Sequence, residues 1–151
     1  ASDVYKRQVH ITTDGIVLRE RAIDEFDCVL TLLTRERGII SAYARGAKKP
    51  RGTLRVPAEL LSYSCFVLFS NRERYSVDKA DLDTVFMGVR GDVEKLSLAS
   101  YFCELTAQVA PREENADGYL RLLSVQLAGK KRLPVTDFLN GFKQIGEYKV
   151  D

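Results

Sequence analysis

The chain has 151 residues, which is enough for one ordinary domain, or for one small domain and part of another. Hydrophobic residues make up 45% of it and charged residues 29%, a globular composition that excludes a disordered or fibrous protein. The formal net charge is only +2, and the sequence shows neither an apolar stretch long enough to span a bilayer nor a secretory leader, so we expect a cytoplasmic protein that does not bind membranes.

The first half of the chain is patterned as short β-strands. Residues 1–10 show no clear period, and we expect them to be an extraneous or disordered tail. Runs rich in β-branched and aliphatic residues then alternate with polar turns and predict five strands, at residues 15–21, 28–34, 39–45, 59–69 and 75–80. Such strands, joined by turns and one long loop, fit a small closed or partly closed barrel. Alternation along the third strand predicts two faces, with Ile40, Ala42 and Ala44 inside and Ile39, Ser41, Tyr43 and Arg45 outside.

The second half of the chain changes to a helical period. Apolar residues recur at helical spacing from Asp92 onward, where Asp92 is well placed to cap a helix that Pro111 would end. A second helix is predicted over residues 116–127, and a third over residues 135–145, where Gly141 weakens the pattern. Strands followed by helices predict an α+β protein.

Positive charge is concentrated in one stretch. Residues 35–55 contain seven basic residues and one acid, so this window carries +6 and the rest of the chain carries −4. Within it, residues 46–57, hereafter the basic loop, hold two glycines, two prolines, four basic residues and no acid. Segregated positive charge is the usual footprint of a polyanion-binding surface. The charge alone is about equally compatible with a loop that is exposed to solvent and binds nothing.

The cysteines and the histidine argue against metal or redox chemistry. The three cysteines, Cys28, Cys65 and Cys103, include no C-x-x-C pair, which disfavours a disulfide framework or a zinc site, and we expect buried structural thiols. The only histidine is His10, which excludes a multi-histidine metal centre. We therefore expect no cofactor and no metal.

Two acidic clusters and the glycines of the basic loop are the candidates for a catalytic or nucleotide site. Carboxylates gather at residues 24–27 and 78–83, as a two-metal nuclease would need, but neither cluster has metal-ligand spacing. We expect solvated turns and a helix-entry region there. Gly46 and Gly52 do not form a phosphate-binding P-loop, because Thr53 follows where lysine is required. The aromatic residues expected in the core are Tyr63, Phe66, Phe69, Tyr101 and Phe102.

Five stretches of this chain, taken in order, carry a family resemblance. They are GIVLR at 15–19, LTLLTRERG at 30–38, ARGAKKP at 44–50, GVRGDVEKL at 88–96 and ASYFCEL at 99–105. Together they resemble the N-terminal region of the RecO family of bacterial recombination mediators. No single stretch is a strict signature, so the resemblance depends on their ordered combination. Residues 129–151 match the family poorly.

The resemblance implies a five-stranded OB-fold β-barrel followed by an α-helical segment. We expect a DNA-binding barrel over residues 11–82 and a partial helical domain over residues 83–151. RecO-like proteins bind single- and double-stranded DNA, anneal strands, and work with RecR to help RecA replace the single-stranded DNA-binding protein. Such a protein would be non-enzymatic and nucleoid-associated. Family members are longer than this chain and many carry a four-cysteine zinc module, so we expect a fragment.

The candidate DNA contacts follow from the basic loop and this resemblance. We expect the DNA phosphates to contact a set of exposed cations: Arg45, Lys48, Lys49, Arg51 and Arg55. Tyr43, beside Arg45, would stack on a base, and the surface could extend to Arg35, Arg37, Arg19 and Arg21. Arg72 and Arg74 are expected in a solvated turn. The alternative functions are an OB module that binds structured RNA, a protein-assembly adaptor, and, as the weakest, a metal-dependent nuclease.

Overall fold

The computed structural model describes residues 9–71, 74–129 and 140. It contains five strands, β1 (Val9–Ala22), β2 (Cys28–Thr34), β3 (Gly38–Ala44), β4 (Ser62–Asn71) and β5 (Arg74–Val85), followed by helices α1 (Met87–Arg90), α2 (Val93–Val109) and α3 (Asp117–Leu127). The predicted order of five strands and then helices is confirmed. The helix predicted over residues 135–145 lies outside the described residues, except for Asn140.

The strands close into a barrel in the order β1-β2-β3-β5-β4. The long strand β1 pairs antiparallel with β4 through its first half and with β2 through its second half. A short parallel pairing of β3 with β5, at Ala42–Tyr75 and Tyr43–Ser76, completes the circle. Closure leaves no free sheet edge, which is how small OB-fold barrels avoid edge-to-edge association. The predicted OB-fold barrel is confirmed.

Three boundaries differ from the predictions. Strand β1 begins at Val9, because residues 9–14 pair with residues 65–70 of β4, so Val9 and His10 belong to the barrel and not to a tail. Strand β4 begins only at Ser62, since Leu61 has a positive φ of 69° that a strand does not adopt. Strand β5 runs through Val85, past the expected boundary at residue 82. The acids of residues 78–83 therefore lie on a half-exposed strand and not in a turn or helix entry.

The barrel and the helices bury two separate apolar clusters. One fills the barrel interior and includes Ile40, Ala42 and Ala44, as predicted, together with the fully buried Phe66. The other lies between the outside of the barrel and the helices, and its largest members are Ile16, Leu33, Ile39, Phe102, Leu120 and Leu123. Because this second cluster joins strands and helices, the described part of the helical segment is packed onto the barrel.

Not every aromatic residue or cysteine is buried as predicted. Phe66 and Phe102 are buried, but Tyr101 lies on the outer face of α2 and is 47% exposed. Cys28 and Cys103 are buried, whereas Cys65 is half-buried on the outer face of β4. Burial raises the pKa of the Cys103 thiol to about 12, so this thiol stays protonated at neutral pH, as expected of a structural cysteine.

Helix α2 begins and ends where the sequence predicts. The carboxylate of Asp92 accepts hydrogen bonds from the backbone N–H groups of Glu94 (2.9 Å) and Lys95 (3.2 Å). The helix ends at Val109, with Ala110 as its C-terminal cap immediately before Pro111. Within the described part of the chain, no helix combines the length and the apolar character needed to cross a bilayer.

Candidate nucleic-acid interface

The basic loop is a series of turns that closes one end of the barrel. Hydrogen bonds between backbone groups three or four residues apart run along it, from Lys49 N–H to the Gly46 carbonyl oxygen (3.1 Å) through to Ala58 N–H and the Leu54 carbonyl oxygen (2.9 Å). Ala47, Leu54 and Ala58 are buried in the barrel core. The loop is thus anchored by its apolar residues while its cations remain at the surface, a rigid arrangement that lowers the ordering cost of binding.

Asp27 holds the start of this loop. One carboxylate oxygen of Asp27 accepts a hydrogen bond from the backbone N–H of Gly46, and the other from the hydroxyl of Tyr43, both at 2.7 Å. These two hydrogen bonds, the backbone one first, lower the pKa of Asp27. Gly46 has φ of +71°, a conformation that glycine adopts without a steric penalty. The backbone N–H of Lys48 also donates to the Phe26 carbonyl oxygen (2.9 Å).

The cations of the loop are not equivalent. Arg45, Lys49 and Arg51 are exposed, and none of them has an ion-pair partner among residues 9–71 and 74–129. Arg55 is exposed and donates a hydrogen bond to the Pro50 carbonyl oxygen (2.9 Å), which leaves its charge uncompensated. Lys48 is different, because its ammonium group forms an ion pair with Glu20. Of the five loop cations predicted to contact phosphates, Lys48 is therefore the one whose charge is already paired.

The Arg35–Arg37 turn lies at the opposite end of strand β3 from the basic loop. Seven strand residues separate the two ends, a distance of about 23 Å at the usual rise of ~3.3 Å per residue. The guanidinium of Arg35 forms ion pairs with Asp14 and Asp117, each at 2.9 Å, and joins the barrel to α3. Arg35 is thus a structural residue. Arg37 is exposed at the same end, so the +6 window does not form one continuous surface.

Arg19 lies next to Glu20, the residue that pairs with Lys48 of the loop. It is exposed on β1, in a cleft that is shared with Ser100 and Glu104 of α2 and with Glu20. Two carboxylates in the same cleft make this a poor place for a phosphate. Arg21, near the end of β1, is exposed.

Phe26 is an exposed aromatic residue beside the loop that the sequence reasoning missed. It is 38% exposed and lines a shallow depression with residues 49–52, which include Lys49 and Arg51. Connections between the first two strands of OB-folds commonly take part in oligonucleotide binding. The sequence feature that could have revealed Phe26 is its position as a lone aromatic residue within the acidic turn at residues 24–27.

A second depression lies on the outer face of strands β2, β3 and β5. This tyrosine groove has a volume of about 490 Å³ and is lined by Val29, Ser41, Tyr43, Arg74, Tyr75 and Ser76. Tyr43 faces outward here, as predicted. Arg74 and Tyr75 were not predicted, because only barrel closure brings the start of β5 beside β3.

The acids considered for metal binding have local structural partners. One Asp24 oxygen accepts hydrogen bonds from the backbone N–H groups of Phe26 (3.1 Å) and Asp27 (3.0 Å), which forms a tight turn, and Asp27 anchors the basic loop. In the part of the chain that the structure covers, no three His, Cys, Asp or Glu residues converge in a way that could hold a metal ion.

Residues 9–86, the whole barrel, match the sequence family described as "Recombination protein O N terminal". The chain belongs to the RecO family. The match covers all five strands, the basic loop and the tyrosine groove, and it confirms the resemblance on which the DNA-binding expectation was based.

Individual members of the RecO family show the same similarity over a longer stretch. A protein named DNA repair protein RecO from Alkaliphilus metalliredigens is 33% identical over 135 residues, which is 88% of this chain and 55% of that protein. Proteins of the same name from Acetivibrio thermocellus and Heliobacterium modesticaldum are 34% identical over 113 residues and 39% identical over 110 residues. These alignments cover 75% and 73% of this chain, and 45% and 40% of those relatives. The chain thus spans about half the length of the relatives it matches.

Proposed function

We propose that the chain is the DNA-binding part of a recombination mediator, and that single-stranded DNA lies along the basic loop. The observation that carries this proposal is a set of four exposed cations, Arg45, Lys49, Arg51 and Arg55, on a loop anchored to an OB-fold barrel; none of the four forms an ion pair within the described residues. Cations bind a phosphate backbone because binding releases the counterions condensed on the DNA. A loop whose backbone is already anchored loses little conformational entropy when it binds.

The proposed role is binding without catalysis. Cations that neutralise the phosphates of one strand also weaken its repulsion for a complementary strand, and this is how the loop would promote annealing. The same contacts serve double-stranded DNA, because phosphates carry no sequence information. By family membership we extend the proposal to a role in recombinational repair together with RecR, in which RecA is loaded onto DNA coated by the single-stranded DNA-binding protein.

A matched pair of variants tests the loop. Replacing Arg45, Lys49 and Arg51 together by Ala should weaken binding to a fluorescent single-stranded oligonucleotide roughly 50-fold at physiological salt, since three phosphate contacts are lost. The control removes three exposed cations elsewhere, by Lys79→Ala, Lys95→Ala and Arg112→Ala, and should bind within about twofold of wild type. Annealing of complementary oligonucleotides should fall only in the loop variant. Equal affinity of the loop variant and wild type would show that the loop is the wrong site.

A competition experiment tests the choice of nucleic acid. We expect an unlabelled DNA strand to displace the labelled strand at least as well as an RNA strand of the same sequence. Better competition by RNA would favour an RNA-binding module that uses the 2′-hydroxyl. No affinity for either strand would favour a protein-assembly adaptor.

A further inference from the structure

We propose that Glu20 limits the DNA affinity of the basic loop, because its carboxylate occupies the ammonium group of Lys48 in place of a phosphate. This inference rests on the proposed function and adds to it a residue that sets how many phosphates the loop can hold. Lys48 lies between Arg45 and Lys49 in the sequence of the loop, so a phosphate backbone that follows these cations would pass it.

A β-bulge in β1 determines where Glu20 points. The pairing of β1 with β2 shifts register between Val17 and Arg19. After this shift Glu20 lies opposite Leu30, which belongs to the cluster inside the barrel. Residues directly opposite each other in a sheet lie on the same face, so Glu20 is on the inner face of β1, near the end of the barrel that the loop closes. Without the bulge, Glu20 would lie three residues after the buried Val17 and would face outward.

Solvent screens the ion pair between Glu20 and Lys48 only in part. The Glu20 side chain is 18% exposed and the Lys48 side chain 38%, and opposite charges attract more strongly where water is partly excluded. The backbone holds both partners, because Glu20 lies in a paired strand and Lys48 N–H donates to the Phe26 carbonyl oxygen (2.9 Å). Among residues 9–71 and 74–129, neither residue has a second ion-pair partner.

A phosphate that binds Lys48 has to compete with Glu20. The Lys48 side chain is exposed enough for DNA to approach it, but a phosphate there would lie beside the Glu20 carboxylate, and these like charges repel. Displacement would also leave a largely buried carboxylate without its partner, which is unfavourable. The loop therefore offers four phosphate contacts while the charge of Glu20 is present, and five when that charge is removed.

The ion pair is one of several contacts that fasten the loop to the barrel. Asp27 accepts a hydrogen bond from Gly46 N–H (2.7 Å), and the side chains of Ala47 and Leu54 are buried in the barrel core. These contacts do not involve Glu20, so we expect the loop to keep its conformation when the ion pair is lost. Removal of the pair then changes the number of free cations and not their positions.

Glu20→Gln tests the inference, because it removes the charge and keeps the size of the side chain. In the full chain it should strengthen binding to a labelled deoxythymidine strand roughly fourfold at physiological salt, since one phosphate contact is gained. The slope of log affinity against log salt should steepen from about −2.8 to about −3.5, so affinity should fall roughly 130-fold between about 50 mM and 200 mM salt. Most of the gain should appear as slower dissociation of the strand.

Two further variants locate the origin of the gain. Glu25→Gln is the matched control, because it removes the same charge from an exposed residue next to Phe26 that forms no ion pair within the described residues. It should bind within about twofold of wild type and keep a slope near −2.8. The double variant Glu20→Gln, Lys48→Ala should have the same slope and, within about twofold, the same affinity as Lys48→Ala alone, because the gain requires Lys48.

The outcomes separate this inference from the proposed function. If Glu20→Gln has the affinity and slope of wild type, Glu20 does not limit binding. Weaker binding by Glu20→Gln, together with a lower Tm, would mean that the ion pair serves to fasten the loop, and would overturn the inference. An equal gain in Glu25→Gln or in the double variant would overturn it as well, since overall charge would then explain the effect.

In each of these cases the variant that lacks Arg45, Lys49 and Arg51 would still bind weakly, and the loop would stand as the DNA site. If that variant binds like wild type, the loop is the wrong site and the inference about Glu20 is wrong with it. A steeper slope in Glu20→Gln, absent from both further variants, would support the inference.

Discussion

The salt dependence of DNA binding follows from which loop cations are free. If all five predicted phosphate contacts at residues 45–55 were available, the plot of log affinity against log salt for a single strand would have a slope of about −3.5. The structure pairs Lys48 with Glu20, and the other four have no ion-pair partner in the part of the chain that it describes, which gives a slope of about −2.8. Affinity should then fall roughly 50-fold between about 50 mM and 200 mM salt.

The variant Lys49→Ala, Arg51→Ala removes two of these four contacts. Its slope should be about −1.4, and the same salt change should weaken its binding only about sevenfold. Lys48→Ala should keep the wild-type slope, because a lysine already neutralised by Glu20 releases few counterions. The assay is fluorescence anisotropy of a labelled single strand at several salt concentrations.

The control for this experiment is Lys79→Ala, Lys95→Ala, which removes the same charge from exposed positions on β5 and α2. Its slope should remain near −2.8. A control slope that falls as far as that of the loop variant would refute the reasoning, since it would mean that net charge matters and its location does not. A Lys48→Ala slope reduced by about 0.7 would show that Lys48 contacts DNA after all.

Three further predictions concern single residues. Arg35→Ala should lower the stability of the fold by about 1–2 kcal/mol, or roughly 2–6 °C in Tm, because it removes two ion pairs and leaves Asp14 without its partner, while Asp117 keeps Arg121, and it should leave the salt slope unchanged. Gly38→Ala should cost at least about 2 kcal/mol in a thermal melt, since φ is +64° and a Cβ would lie 2.1 Å from the Pro111 carbonyl oxygen. Gly129→Ala, with a similar φ but open space, should cost only about 1 kcal/mol, and equal costs would contradict the clash. Phe26→Ala should weaken single-strand binding severalfold at every salt concentration without changing the slope, because stacking releases no counterions, and a changed slope would argue against stacking.

The local pattern of apolar and polar residues was enough to predict the order of strands and helices. Strands β2 and β3 and the cap and end of α2 depend on residues that are neighbours in sequence, such as Asp92 and the N–H groups that follow it. The extent of β1 was not predictable in this way. Residues 9–14 form a strand only because β4 pairs with them, and that pairing depends on closure of the whole barrel.

The candidate site was predicted only in part, for the same reason. The sequence shows which residues are charged but not which charges are already paired. Lys48 and Glu20 lie on different elements, as do Arg35 and Asp117, so their ion pairs arise from tertiary structure alone. The loop cations Lys49 and Arg51 remain candidates, as predicted, whereas Phe26 was missed because its position beside the loop depends on tertiary structure.

Photo-crosslinking tests the central claim most directly. A strand containing 5-iodouracil would be bound to the chain and irradiated, and the modified residues would be identified by mass spectrometry. We expect crosslinks at Phe26 and Tyr43, the aromatic residues nearest to the cations of the basic loop. Crosslinks confined to Phe69 on the β4 face or Tyr101 on α2 would place the DNA on another side of the molecule and contradict the account.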